Sequence, residues 1–258
     1  MRSLATDAVV LHVFDYSESS RIVRLATHEA GVVSALARGA RRPKSRFGSG
    51  LDLFADGVAH LLLKDGRDLQ TLAAFDLTRA RPALGRDLDR FTGAATLAEL
   101  ALRFSTDDPT GALYPTLADA LDTLAGAPEA YRTTAALAGA WRLLAALGFS
   151  PALSECAGCH ALLPPDEDTL FDHGAGGALC ARCGARALQG RRLPAAARHS
   201  VSAWLDGSPV PPLDVSEGRA HQRLLREFVR HHLEDGRPLR AFAVWEHGGW
   251  AERAVEPA

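Results

Sequence analysis

The sequence predicts an α+β chain of several domains: an N-terminal β-barrel, a C-terminal all-α domain, and a four-cysteine zinc ribbon inserted into the helices. Three observations predict it. Short apolar runs separated by turn residues fill residues 6–76. From residue 82 the apolar positions recur at spacings of three and four, the period of helices. All four cysteines of the 258-residue chain lie between Cys156 and Cys183. The expected divisions are 1–80 for the barrel, 81–150 and 187–245 for the two helical parts, 151–186 for the insert and 246–258 for a frayed tail. The fraying is expected to begin at Trp245.

The β region opens with Ala8–Phe14, a compact apolar run that ends in the polar loop Asp15–Ser20. Arg21–Thr27 is the second strand, and His28 to Gly31 is a hairpin turn with glycine at its end. Val32–Ala37 is the third. Leu51–Leu63 is the fourth, with Gly57 marking a bulge or bend. The turn Lys64 to Arg67 leads into Leu69–Phe75. Five short strands with a longer connection between the third and fourth fit a small closed barrel such as the OB-fold. An SH3-like barrel has the same strand count.

The helical region begins with Leu84–Phe104, where Leu88, Phe91, Ala95, Ala98, Ala101 and Phe104 form one predicted face. Asp107-Asp108-Pro109 breaks it. Leu113–Leu124 carries Leu113, Leu117, Ala120, Leu121 and Leu124, and a third helix places Leu137, Trp141, Leu144 and Leu147 on one side. Gly148 closes that helix as a C′ glycine. After the cysteines, Pro194–Leu205 and Glu217–Leu233 return to helical period, the latter with Leu224, Leu225, Phe228 and Val229 inward. His231 and His232 have no partner in a metal-ligand spacing and are read as surface or satisfied residues.

Cys156 and Cys159 form one CxxC and Cys180 and Cys183 a second, with twenty residues between the pairs. Two intervening residues let both thiolates of a tight turn face one centre. Two such turns supply four sulfurs in a tetrahedron, which suits one structural Zn²⁺ at about 2.3 Å per bond. Gly158 and Gly184 are expected to provide permissive backbone in the knuckles. His160 or His173 is the alternative fourth ligand. Disulfides would need an oxidising compartment, and a redox CxxC normally occurs once beside a βαβ pattern.

Composition excludes a globally basic protein: the formal charge is −2 and the pI about 6.5. No run is long enough to span a bilayer, and Met1-Arg2-Ser3-Leu4 lacks a signal-peptide core, so a cytoplasmic protein with no membrane partner is expected. Charge is concentrated locally instead. From Arg21 to Arg46 there are seven basic residues, Arg21, Arg24, Arg38, Arg41, Arg42, Lys44 and Arg46, against the single acid Glu29. A mobile basic loop beside a strand with two arginines is suited to tracking a phosphate backbone. Phe47 and, more remotely, Tyr16 are candidates to stack on bases; for Phe47 alone, packing into the barrel is the favoured alternative.

Three segments carry a family resemblance. The first runs from Glu18-Ser-Ser-Arg-Ile-Val-Arg-Leu through Gly31 to Ala37-Arg-Gly-Ala-Arg-Arg-Pro-Lys-Ser-Arg-Phe-Gly, with Gly66-Arg-Asp-Leu-Gln-Thr-Leu later. The second is Leu147-Gly-Phe-Ser-Pro-Ala-Leu with the two CxxC pairs, and the third is Leu224–Pro238. In these the chain resembles the RecO family of bacterial DNA-repair and recombination mediators. The resemblance implies an OB-fold, a helical domain and a zinc insert. It also implies a cytoplasmic, nucleoid-associated, non-enzymatic protein that binds single- and double-stranded DNA and anneals complementary strands. The family works with RecR to load RecA on single strands coated by single-stranded-DNA-binding protein, whose acidic tail docks on the helical domain. The family's DNA contacts fall on Arg38, Arg41, Arg42, Lys44 and Arg46, with Arg21 and Arg24 in the adjoining strand. The tail would need an apolar notch rimmed by an arginine, for which Arg132 and Arg142 beside Trp141 are candidates. Two other classes share parts of this pattern. One is an RNA-binding OB/zinc-ribbon protein of translation or transcription. The other is a zinc hydrolase with one thiolate lost and Glu155 or Asp172 as base.

Overall fold

A computed structural model describes residues 2–47, 50–104, 111–233 and 237–248. Five strands form the N-terminal barrel: β1 (Arg2–Asp15), β2 (Arg21–Thr27), β3 (Gly31–Ala37), β4 (Asp56–Leu63) and β5 (Leu69–Arg79). They close in the order β1-β2-β3-β5-β4, with β4 returning to β1. The parallel pairing of β3 with β5 is the OB arrangement and decides against an all-antiparallel SH3-like barrel. Closure there is narrow, confined to Ser34↔Leu69, Ala35↔Gln70 and Leu36↔Thr71. The barrel is thus the partly open Greek-key type. The β4–β5 ladder shifts register beside Gly57, the expected bulge. A Cβ at Gly57 would lie 2.5 Å from the Phe75 ring and 2.6 Å from the Asp76 carbonyl, so the position requires glycine.

The uninterrupted apolar run of β1 follows from burial on both faces. Ala8 and Val10 point into the barrel core with Leu25, Leu61, Leu72 and Phe75. Val9 and Leu11 join Phe54 in a second core shared with the helices. That core is built on α1 (Leu88–Phe104), α2 (Leu113–Gly126) and α3 (Arg132–Ala146). The insert follows, with β6 (Thr169–Asp172), β7 (Gly177–Leu179), the single turn α4 (Ala181–Gly184) and β8 (Arg191–Leu193). Then come α5 (Ala195–Leu205), α6 (Val215–His232) and α7 (Arg240–Glu246). Among the described residues no helix is long and apolar enough to cross a membrane.

The helix ends are set by local chemistry. Gly148 has φ +91°, its N–H bonds Ala145 O at 3.0 Å, and Phe149 N–H bonds Leu144 O at 2.8 Å, the paired bonds of a Schellman motif. Asp214 and Glu217 form a reciprocal capping box that starts α6 at Val215, two residues before the predicted start. The inward faces predicted for α2 and α6 are buried, and Trp141 is fully enclosed.

Two expectations are corrected. Leu88 and Phe91 are 43 % and 39 % exposed. Ala98, Ala101 and Phe104 of the predicted face are buried, but helix α1 also buries Ala94, Leu97 and Leu100 off that face, because it is covered on several sides. The period could not choose among faces of a helix this short of polar residues. Trp245 is not the start of a frayed end: α7 buries Phe242 and Trp245 against the common core. Glu99 of α1 accepts the N–H groups of Arg240 at 2.7 Å and Phe242 at 3.0 Å, so a distant carboxylate caps α7. Residues 249–258 of the expected tail lie outside the described residues.

The barrel and the helices meet at Arg81, whose side chain is 2 % exposed. Its guanidinium donates to Asp56 Oδ2 at 2.5 Å, Asp122 Oδ1 at 2.7 Å and the Phe54 carbonyl at 2.7 Å. Removing the cation leaves buried acceptors unpaired. Arg81→Ala is expected to destabilise the protein by roughly 3–5 kcal/mol, read as a lowered urea midpoint.

Between α5 and α6, His221 is 5 % exposed, stacks edgewise on Trp204 at 4.8 Å, and its Nδ1 has no partner among the described residues. Burial pushes its pKa down to about 4, weakly opposed by Glu217. Unfolded histidine titrates near ~6.5, so the unfolded chain binds the extra proton. Stability is therefore full above that pH and falls as the pH drops toward 4, by on the order of 3 kcal/mol. Denaturant melts of the wild type and His221→Leu across this range should diverge, with the variant showing the flatter profile.

Candidate metal centre and basic barrel face

Each CxxC occupies a tight turn, and the sheet brings the two turns together. In the first, His160 N–H bonds the Cys156 carbonyl at 2.8 Å, and Cys156 N–H bonds Ala161 O at 2.8 Å. The second leaves β7 directly, with Cys180 preceding α4 and Cys183 within it. The four Sγ atoms all lie within 4.8 Å of one another. Cys159 Sγ and Cys180 Sγ are 3.8 Å apart, far beyond a disulfide's ~2.05 Å. Four sulfurs at ~2.3 Å from a tetrahedral centre would be separated by about 3.8 Å, so the donor set fits one metal ion.

The electrostatics agree with that geometry. Burial alone would raise the Cys156 thiol, but N–H donors of Cys180, Gly158 and Cys159 outweigh it and lower the pKa to about 6. The Cys180 N–H lies 3.3 Å from Cys156 Sγ. Cys183, hydrogen-bonded to the sulfurs of Cys159, Cys180 and Cys156, is pushed up to about 12. Four thiolates this close need a cation to ionise together.

Neither histidine joins the set. His160 is exposed, and His173 Nε2 pairs with Glu227 at 3.2 Å. Glu155 and Asp172 are also outside it; Asp172 accepts the Ala175 N–H at 2.9 Å. The expected role of Gly158 and Gly184 is corrected: neither has positive φ, and the left-handed residue of the first knuckle is His160, at φ +59°. One glycine that the insert requires is Gly177. A Cβ there would come within 2.3 Å of the Ala152 carbonyl, across the bridge joining the insert's entry to β7. Sequence reading also missed Arg198, which is buried and donates to the carbonyls of Leu153 at 3.3 Å and Pro165 at 2.8 Å. Only the folded contact reveals it, since its helix position alone resembles any surface arginine.

On the barrel, the connection after β3 is a series of turns rather than an unrestrained loop. Arg42 N–H bonds Gly39 O at 3.1 Å, and Ser45 N–H bonds Arg42 O at 2.9 Å. Arg41 ties it to the β1–β2 loop, donating to Ser17 O at 3.0 Å and lying 3.4 Å from Asp15. Arg21 pairs with the same Asp15 at 3.2 Å. Arg38, Arg42, Lys44 and Arg46 are exposed, and none has an ion pair among the described residues. Arg24 is half-buried, and its Nε has no partner among the described residues. Phe47 is buried in the barrel, with the Arg46 guanidinium 5.3 Å from its ring centre.

The candidate notch residues separate. Trp141 is wholly buried, and Arg132 lies beside Asp87, at 3.6 Å. Arg142 borders a pocket of about 540 Å³ walled by Pro128, Tyr131, Trp204, Pro209 and Val210, and pairs with Asp119 at 2.7 Å.

An OB-type barrel with a basic face, joined to helices that carry a four-cysteine cluster compatible with a metal site, defines a class of barrel-and-helix proteins. Residues 1–81 match the family model for the N-terminal part of recombination protein O, and residues 85–241 match the model for its C-terminal part. The chain is 39 % identical over 240 residues to a DNA repair protein RecO of Anaeromyxobacter sp. (strain K), covering 90 % of this chain and 92 % of that one. It is 35 % identical over 239 residues to that of Myxococcus xanthus, covering 91 % and 93 %. The Rubrobacter xylanophilus protein of the same name is 30 % identical over 239 residues, covering 87 % and 88 %. The chain belongs to the RecO family.

The metal site makes a direct prediction. Cys156→Ser or Cys180→Ser should lower the metal content from one ion per chain toward zero, measured by mass spectrometry of the purified protein. The same variants should melt earlier, since metal binding contributes to folding of such inserts.

Proposed function

We propose that this protein is a DNA-repair and recombination mediator that binds single- and double-stranded DNA on the barrel, anneals complementary strands and helps load RecA on protein-coated single strands. The observation that carries the reading is the set of exposed cations without ion pairs among the described residues, Arg38, Arg42, Lys44 and Arg46, on the long connection of an OB-type barrel. Such a row neutralises phosphates, and relief of strand–strand repulsion lets complementary bases meet with no covalent bond made or broken. Arg21 and Arg24 lie on the adjoining strand. Arg41 has the additional task of holding the β1–β2 loop.

Family membership supports RecR as a partner and the acidic tail of single-stranded-DNA-binding protein as a ligand of the helical domain. The pocket bordered by Arg142 has the chemistry for that tail: apolar walls for its side chains and, at the rim, a guanidinium that would exchange Asp119 for a tail carboxylate. The metal is Zn²⁺, whose preference for four thiolates matches the donor set, and its role is structural. When bound, it cross-links the two knuckles; Phe171 and Arg198 fasten the same insert to the helices.

The test uses Arg38→Ala, Arg42→Ala and Lys44→Ala combined, leaving Arg41 in place. Stability should hardly change, by about 0.5 kcal/mol or less per site. For single strands, the log–log dependence of affinity on salt should have a slope near about −3 in the wild type and lose about 2 in the variant, at ~0.7 counterions per contact. Annealing should slow sharply while zinc content stays at one per chain. Intact annealing and affinity in the variant would reject the barrel as the DNA site, and stronger binding of RNA than DNA by the wild type would favour an RNA-binding protein.

A further inference from the structure

Beside the row of cations the barrel carries three ring side chains that core packing does not account for. His12, Phe14 and Tyr16 are alternate residues along β1 and its extension, and alternate strand residues share a face. Phe14 is 41 % exposed and Tyr16 60 % exposed. The His12 and Phe14 rings are adjacent, with centroids 5.5 Å apart and planes inclined by 55°. Scattered surface aromatics are ordinary. Three at alternate positions along β1 and the residue that follows it, next to cations without ion pairs among the described residues, form a surface of defined chemistry.

The register places one arginine on the face of these rings: His12 faces Arg24 across the β1–β2 ladder, whereas the Asp15–Arg21 pair belongs to the opposite face. Arg24 is half-buried, and its Nε is a buried donor without an acceptor among the described residues. At the end of the row, Tyr16 lines a cleft of about 390 Å³ together with Arg38, Arg42, Ser19 and Leu36. The cleft lies between the β1–β2 loop and the β3–β4 connection, which Arg41 fastens to one another. Its size falls within the roughly 300–1,000 Å³ of ligand clefts. It offers an aromatic face and two guanidinium groups at the same opening, the complement of one nucleotide.

We propose that His12, Phe14 and Tyr16 form a stacking shelf for unpaired nucleobases, with the phosphate beside the Tyr16-stacked base held by Arg38 and Arg42. The proposal rests on the DNA-binding reading above and deepens it. Phosphate contacts alone serve a duplex and a single strand alike. A ring that stacks on a base face needs that face uncovered, and in a duplex neighbouring bases cover it. The shelf therefore gives the barrel a preference for single strands without a preference for sequence, since every base has a π face.

The experiment compares the full-length wild type, Phe14→Ala combined with Tyr16→Ala, and Tyr16→Phe. The probes are a deoxyoligonucleotide carrying 2-aminopurine and the same oligonucleotide annealed to its complement. Both substituted side chains are exposed, so the melting temperature serves as the control for folding. In the wild type, binding of the single strand should change 2-aminopurine fluorescence. The double variant should lose that change and bind the single strand about 10- to 100-fold more weakly, with duplex affinity and the single-strand salt slope unchanged. Tyr16→Phe, which retains the ring, should behave as wild type. Equal losses for both probes, or unchanged single-strand affinity with the fluorescence change retained, would overturn the shelf. Wild-type binding to neither probe would overturn the DNA-binding reading and the shelf together. A shelf failure alone is distinguished from this by wild-type binding that still responds to the Arg38, Arg42 and Lys44 substitutions.

Discussion

Arg81 is the charge on which the arrangement of barrel and helices depends. It follows β5, immediately before Pro82 begins the single turn that leads into α1. In that position it reaches a carboxylate of β4 and a carboxylate of α2, together with the carbonyls of Phe54 and Ala118. Burial is the largest influence on Asp56, and it lifts that carboxyl despite the adjacent guanidinium. Asp56 Oδ1 has no hydrogen-bond partner among the described residues, in keeping with a desolvated acid. Such a group is tolerable only while Arg81 stays in place. Val9, Leu11 and Phe54 meet the helices around the same junction, so the electrostatic clamp and the shared apolar core reinforce one another.

The metal insert solves a different problem. Its own core is small, built on Cys156, Leu163, Ala178 and Leu179. Burial of so few apolar groups offsets little of the chain entropy lost on ordering, and a metal ion held by the four thiols would supply the missing constraint. The insert is also fastened from outside. Phe171 packs against Phe228 with centroids 6.1 Å apart, and Glu227 receives both Arg191, at 2.5 Å, and His173. The cysteines set the internal shape of the ribbon, while Arg198, Phe171 and Glu227 set where it sits on the helices.

On the barrel, the same loop that carries positive charge also needs to be held. Arg41 and Arg21 spend their charge on Asp15, which joins the β3–β4 connection to the β1–β2 loop. Arg38, Arg42, Lys44 and Arg46 are thereby presented from a braced surface with their charge uncommitted. In sequence these two groups of basic residues are indistinguishable. The division between paired and uncommitted charge exists only once Asp15 and Ser17 are brought beside Arg41.

The sequence by itself determined the order of elements, the barrel–helix class, the gathering of Cys156, Cys159, Cys180 and Cys183 in one cluster, and the location of the basic row. These are properties of spacing and local composition, which act over a few residues and are written directly in the chain. Tertiary structure decided what depends on residues far apart: the β3–β5 pairing that makes the barrel OB-type, the surfaces of α1 that are covered, and the capping of α7 by Glu99. It also decided that Phe47 is core while Phe14 and Tyr16 are surface, because the burial of a ring depends on what the rest of the chain lays over it. A period of two or of three to four marks a face but cannot name its neighbour. Only the folded chain supplies that neighbour, and with it the difference between an arginine that braces and one left open to a ligand.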